Sequence, residues 1–342
     1  MNDIPDLPPE ASDAPSRETP APETPAFDPS LPTRCGFAAI IGAPNAGKST
    51  LVNALVGTKV SIVTHKVQTT RFQVRGVMLS GQSQVILVDT PGIFQPRRRL
   101  DRAMVRAAWA GADDADAVVH LVDAQAWSLS IAHKPLSPAQ SRGIFDDETI
   151  LATLKATGRT VILALNKIDL FARSHLFAVA AHLHDKGAYS DVFMISGQRS
   201  DGVADLGRHL AGLMPDSPWL YPADQAADMP ARLLAAEVVR EKLMLRVHEE
   251  LPYQLTVETE AWQERKDGSV RIECTIFVGR DTHRQIILGK DGGVIREVGS
   301  KARAELMTLF ERVVHLFLHI KVDERWEESR HRYTAVGLDF EA

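Results

Sequence analysis

The strongest constraint on this chain is an apolar run, Phe37-Ala38-Ala39-Ile40-Ile41, that leads directly into Gly42-Ala43-Pro44-Asn45-Ala46-Gly47-Lys48-Ser49. The octapeptide satisfies G-x-x-x-x-G-K-[ST], and Ser49 to Val56 reads as a helix, so the motif lies between a strand and a helix N-terminus. Its glycines let the backbone wrap until successive N–H groups point at phosphate oxygens, at the positive end of the helix. Lys48 would add a point charge on the β- and γ-phosphates. The Ser49 hydroxyl would ligate Mg²⁺, with Thr50 completing the cradle.

Further apolar runs follow at Val85–Val88, Ala117–Val122, Val161–Leu165 and Val192–Ile195, separated by helical periodicity such as Leu100 to Ala112 and Ser174 to His184. Fully apolar strands alternating with helices predict a doubly wound, mostly parallel α/β domain of the P-loop NTPase type over residues 34–213. Ala124 to Asp146 is a long, Pro-containing connection, expected as a surface loop. Residues 1–33 are rich in Pro, Ala, Asp and Glu and are expected to be a disordered acidic tail. Residues 214–230 carry four prolines and are expected as a linker. Beyond it, residues 231–342 give an amphipathic helix, Arg232 to Glu250, then two alternating strands joined through Asp267-Gly268. Two helices follow, the second from about Gly293, and last a strand, Val314 to Val322. That α-β-β-α-α-β order predicts a small α+β domain.

Three segments fit around a bound nucleotide. Asp89-Thr90-Pro91-Gly92 closes the second apolar run, which places the Asp89 carboxylate near Mg²⁺ and the Gly92 N–H near a γ-phosphate. Ile93 follows where a water-orienting glutamine would serve, so slow intrinsic turnover is expected. In Gln68-Thr69-Thr70-Arg71, Thr70 is the preferred second hydroxyl ligand of Mg²⁺, with Thr69 as the alternative. Lys48, Thr70, Asp89 and Gly92 are thus the expected catalytic group. Asn166-Lys167-Ile168-Asp169 selects the base: the Asp169 carboxylate can accept both the N1–H and N2–H₂ of guanine, whereas adenine would leave it unpaired. Asn166 would brace the loop, Lys167 would lie along the base, and Ser196-Gly197 would offer a backbone N–H to guanine O6. Asn45 is expected to help bind a monovalent ion, potassium, beside the phosphates.

With 44% hydrophobic residues, 24% charged residues and a net charge of −5, the chain is an ordinary globular one without a dominating basic surface. Nucleic-acid contact must therefore be local. Gly289-Lys290-Asp291-Gly292, after Ile286-Ile287-Leu288, fits a G-x-x-G loop that brings backbone close to single-stranded RNA. Arg280, Arg284, Lys290, Arg296, Lys301 and Arg303 are expected around it, with Arg284, Gly289, Lys290, Gly292 and Arg296 as contacts. Cys35 and Cys274 are far apart in sequence, and no membrane span or targeting segment is evident, so a cytoplasmic protein is expected.

The motifs G-A-P-N-A-G-K-S-T, Q-T-T-R, D-T-P-G and N-K-I-D resemble those of the bacterial Era family of GTPases. So do Tyr221-Pro222-Ala223-Asp224-Gln225, Arg240-Glu241-Lys242, Glu250-Leu251-Pro252-Tyr253 and Gly337-Leu338. The resemblance covers about residues 35–340. It implies GTP hydrolysis to GDP and a C-terminal type II KH domain that binds the 3′ end of 16S ribosomal RNA. It also implies a role in maturing the small (30S) ribosomal subunit and peripheral association with the inner membrane; a monomer is expected. An RNA-binding scaffold with a structural, rarely hydrolysed nucleotide is the alternative. The sequence departs from the family pattern at Asp291 and at Ser196-Gly197.

Overall fold

Along β1 (Arg34–Ile41) successive side chains enter two different cores: Ala38 and Ile40 one, Ala39 and Ile41 the other. A strand buried on both faces has no polar face to show, which is why its sequence is continuously apolar. The computed structural model describes residues 27–342 apart from Ala188, Glu249 and Glu250. After β1 come α1 (Lys48–Val56), β2 (Val74–Ser80), β3 (Ser83–Asp89), α2 (Arg99–Asp113), β4 (Ala117–Asp123), α3 (Ala124–Ile131) and α4 (Pro138–Thr157). Then come β5 (Val161–Asn166), α5 (Leu176–Lys186), β6 (Tyr189–Met194) and α6 (Val203–Leu213). The sheet order is β2-β3-β1-β4-β5-β6, parallel except for β2, which pairs antiparallel with β3. This is the doubly wound α/β domain predicted, with the edge strand β2 added.

The second domain contains α7 (Ala231–Arg246), β7 (Leu255–Glu264), β8 (Val270–Val278), α8 (Asp281–Leu288), α9 (Gly293–Phe310) and β9 (Val314–Val322). Its sheet is β7-β8-β9, antiparallel then parallel, and its inner face packs on α7 and α9 through Val238, Ile272, Ile276 and Leu306. The α-β-β-α-α-β order is as expected.

Four expectations need correction. The connection Ala124 to Asp146 is mostly helical: Trp127 on α3 is buried and donates Nε1–H to Asp147 Oδ2 at 2.9 Å. Pro138, read as a loop residue, starts α4, where Ser137 and Gln140 form a capping box; proline suits a first helical turn because that N–H needs no partner. The helix expected from Arg232 to Glu250 ends at Arg246, and Leu245 in its last turn is exposed. Of the acidic tail, residues 1–26 lie outside the described residues. The remainder is anchored: Phe27 packs on Trp219 with ring centroids 5.0 Å apart, and Thr33 pairs with Ser217. Finally, α10 (Arg330–Ala335) and the residues around it leave the second domain to pack on the first. Trp326, Tyr333 and Leu338 share a core with Phe72, Leu100 and Met104 of the first domain. The linker 214–230 also lies along the first domain, where Ala226 O accepts the Val77 N–H and covers the β2 edge.

Candidate nucleotide site and RNA-binding loop

Gly42 to Gly47 form the turn between β1 and α1, and Lys48 is the first residue of the helix. The Lys48 ammonium is enclosed and donates to the Gly42 and Ala43 carbonyls at 3.1 and 2.9 Å. Burial pushes its pKa down to about 8, with Asp89 working in the opposite direction. A cleft lined by Pro44, Lys48, Ser49, Thr69, Thr70 and Gly92 opens at this turn. Asn45 stands exposed on its rim, with Thr50 half-buried one turn into the helix.

Three oxygen side chains converge beside Lys48. Ser49 Oγ and Thr70 Oγ1 share a hydrogen bond of 2.8 Å, and Thr70 Oγ1 donates to Asp89 Oδ2 at 3.3 Å. Thr69 faces away, bonded to Thr64 Oγ1 at 2.6 Å and to the Lys66 carbonyl at 2.8 Å. Asp89 ends β3 fully buried, and burial raises its pKa while Ser49 and Lys48 oppose that rise. Among the described residues its Oδ1 has no hydrogen-bond partner. Two hydroxyls and a buried carboxylate with an orphaned oxygen are the hard donors that suit Mg²⁺. After Asp89, Thr90 Oγ1 donates to the Ile40 carbonyl at 2.7 Å, and past Pro91 and Gly92 the Ile93 N–H bonds Gly42 O at 3.1 Å. The Ile93 side chain is buried in the sheet core, turned away from chemistry.

On the base side, Asn166 at the end of β5 bridges two loops. Its Nδ2 donates to the Ala46 carbonyl at 2.7 Å and its Oδ1 accepts the Gly197 N–H at 3.0 Å. Lys167 ion-pairs with Asp123 at 2.6 Å, and Asp169, one residue past Ile168 in a short 3₁₀ turn, lies 3.8 Å from Arg199. The expected O6 contact of Ser196-Gly197 needs revision. Ser196 N–H is given to Asp201 O at 2.9 Å and Gly197 N–H to Asn166, so neither amide is free for a base in this arrangement. Asp123 and Arg199 were not anticipated. Asp123 ends an apolar strand and caps α3 through the Ala126 N–H, the one local signal that could have marked it.

The G-x-x-G segment joins α8 to α9. Gly289 has φ +68°, and a Cβ there would sit 2.4 Å from Val294, so no other residue fits without displacing α9. Asp291 is left-handed at φ 52°, a conformation aspartate tolerates, and its carbonyl accepts from Arg296. Ile286 is exposed next to the loop, and half-buried Leu318 and Ile320 of β9 flank the same helices. Arg284 sits 3.5 Å from Asp281. The expected basic cluster is incomplete, because Lys301 turns toward α7. It pairs with Glu297, one turn back on α9, at 2.7 Å and lines a cavity of about 520 Å³ with Leu245 and Arg246 of α7.

A family model described as a 50S ribosome-binding GTPase matches residues 37–167, and one described as a KH domain matches residues 250–327. Fold and site together define a P-loop GTPase carrying a KH domain. GTPase Era of Caulobacter vibrioides (strain NA1000 / CB15N) is 62% identical over 309 residues, spanning 90% of this chain and 98% of that protein. Accordingly, the chain belongs to the GTPase Era family. A point variant of Aquifex aeolicus Era bound to GDP·AlF4⁻ superposes with a TM-score of 0.79 at 32% identity, covering 89% of this chain and 99% of that one. A structure of Era in complex with MgGDPNP and nucleotides 1506–1542 of 16S ribosomal RNA gives the same TM-score and coverages at 33% identity.

Proposed function

We propose that this GTPase binds the 3′ region of 16S ribosomal RNA through its KH domain and acts in small-subunit assembly and rRNA maturation, with GTP and GDP as its switching ligands. The observation that carries the reading is the convergence of Ser49, Thr70 and Asp89 on the lysine-bearing turn, in a chain whose second domain presents a G-x-x-G loop. Relatives of the same architecture support it, one of them solved with MgGDPNP and 16S rRNA nucleotides.

In this reading Lys48 and the amides of residues 42–49 hold the phosphates, and Ser49 and Thr70 hold Mg²⁺ with Asp89 behind them. The ion, when bound, neutralises charge developing on the β- and γ-oxygens. Thr70 is the residue that distinguishes GTP from GDP, since its loop is ordered best when a γ-phosphate is present. Asp169 selects guanine, and Asn166 holds the base loop against the phosphate turn. Ile93 cannot orient a water molecule, so intrinsic hydrolysis is slow, and a monovalent cation near Asn45 together with bound RNA speeds it. The protein works in the cytoplasm as a monomer, with only peripheral contact to the inner membrane; no helix among the described residues is long and apolar enough to cross a membrane.

Crosslinking the protein to RNA in the GTP and GDP states, then sequencing the captured RNA, tests the proposal. Enrichment of the 16S 3′ region that depends on the nucleotide supports it. Capture of unrelated RNA, or equal capture in both states, would count against it.

A further inference from the structure

The Arg240-Glu241-Lys242 triplet on α7 is a sequence mark that neither the nucleotide nor the RNA reading uses. In the fold Arg240 is 1% exposed, and its guanidinium crosses from the second domain into the first. Nε donates to Glu237 Oε1 at 2.7 Å and Nη1 to Met244 Sδ at 3.3 Å, while Nη2 donates to the Thr69 carbonyl. The helix therefore fixes the guanidinium and aims it at the peptide that precedes Thr70. Arg71, on the other side of Thr70, donates to Leu255 O at 2.8 Å and Pro252 O at 3.3 Å, both in the second domain. Glu241, 2% exposed, holds the start of the same strap: it accepts the Val63 N–H at 2.8 Å and pairs with Lys59 at 2.7 Å. Lys59 and Lys242 both also pair with Glu305 on α9.

These contacts are costly to build, since a buried charge is tolerated only when fully paired. A surface where two domains merely touch has no need of a buried guanidinium on one particular carbonyl. We propose that Arg240 and Glu241 are positioning residues for GTP hydrolysis. From the second domain they hold the 59–71 strap so that the Thr70 hydroxyl faces Ser49 and Asp89. A loop pinned in advance loses less entropy when the γ-phosphate and Mg²⁺ engage it. The inference rests on the reading of Thr70 as the residue that responds to the γ-phosphate.

The test uses the full chain as wild type and as Thr70→Ala, Arg240→Ala, Arg240→Lys and Glu241→Ala. Two quantities are read: single-turnover hydrolysis with Mg²⁺, and affinity for fluorescent GDP against a non-hydrolysable GTP analogue. Arg240→Ala and Glu241→Ala should each lose roughly tenfold or more in turnover and in GTP-over-GDP preference, the scale of one charge-assisted hydrogen bond. GDP affinity should stay within about twofold, because GDP makes no use of Thr70. Arg240→Lys should recover part of the loss. Should Arg240→Ala fail to fold, Arg240→Lys and Glu241→Ala decide the same question. Wild-type turnover and preference in the α7 variants, with both lost in Thr70→Ala, would overturn the inference and leave the Thr70 reading standing. Wild-type behaviour in Thr70→Ala would remove that reading, and the inference with it.

Discussion

Asn166 donates its side-chain amide to the Ala46 carbonyl at 2.7 Å, which ties the end of β5 to the phosphate turn. Its other side-chain atom, Oδ1, takes the Gly197 N–H, so one buried amide fastens the phosphate loop to both base-side loops. Asn166→Ala removes both bonds and leaves a buried carbonyl and a buried N–H unpaired, at a cost of about 2–4 kcal/mol. Affinity for GDP and GTP should fall together, roughly a hundredfold, in a fluorescent-nucleotide titration. A loss confined to GTP would show that the brace serves the switch loop instead.

Asp169 is half-buried in the turn after β5, 3.8 Å from Arg199. A carboxylate there accepts two guanine donors, while an amide accepts one and offers a donor that xanthine O2 can take. In Asp169→Asn the preference should move from GTP to XTP by about tenfold or more, since a site built for a given hydrogen-bond pattern rejects the mismatched one strongly. Competition between the two nucleotides measures it. An unchanged preference for GTP would remove base selection from this residue.

Asp146 on α4 is buried next to Asp147, and among the described residues its Oδ2 has no hydrogen-bond partner. Burial, then the Asp147 charge, raise its pKa to about 6 from the ordinary 3.8. Between those two values the folded chain keeps a proton that the unfolded chain has released, so ν_U − ν_N is negative and stability falls as pH rises from about 4 to about 6. Above that window the ionised carboxylate destabilises the fold at constant cost. Asp146→Asn should raise the melting temperature at pH 7.5 and leave it little changed near pH 4. Equal shifts at both pH values would assign the effect to packing.

How much of this could be read from the chain alone depends on whether the chemistry is local. The strand ends that carry Gly42–Ser49, Asp89–Gly92 and Asn166–Asp169 were legible because a buried strand reads as a continuous apolar run that stops where the polar turn begins. The order of the second domain was legible because β7 and β8 alternate and Gly268 turns with φ +80°. The Ala124 to Asp146 stretch was misread because a proline that opens a helix has the same composition signal as one in a loop. The Arg240–Thr69 contact had no local pattern at all: it joins residues 171 positions apart. Nor could the sequence show that Gly197 N–H belongs to Asn166, since a hydrogen bond between loops depends on how the strands that carry them are registered.

Asn45 has φ 64° and is exposed at the edge of the phosphate turn, where the proposed potassium ion would lie between its side chain and the β/γ-phosphates. The proposed ion would add its charge to that of Lys48 beside the phosphates. Hydrolysis should run severalfold faster in potassium than in sodium at equal ionic strength, and Asn45→Ala should erase the difference. Identical wild-type rates in the two salts would exclude this cation.

Gly292 closes the G-x-x-G loop with φ +71°, and a Cβ added there meets nothing closer than Arg296 Nη2 at 3.7 Å. A side chain at this position therefore costs about 1–2 kcal/mol of left-handed strain without a collision. Gly292→Asp sets a second carboxylate beside Asp291, on the face that a phosphate backbone would approach. Affinity for an RNA oligonucleotide carrying the 16S 3′ sequence should drop by at least about tenfold, and more at low salt, where phosphate contacts weigh most. GDP binding should be untouched, because the phosphate turn belongs to the other domain. Loss of both activities together would mean that the substitution unfolds the chain, which a melting curve on the same sample would reveal. Unchanged RNA affinity in a folded variant would move the RNA contact away from this loop.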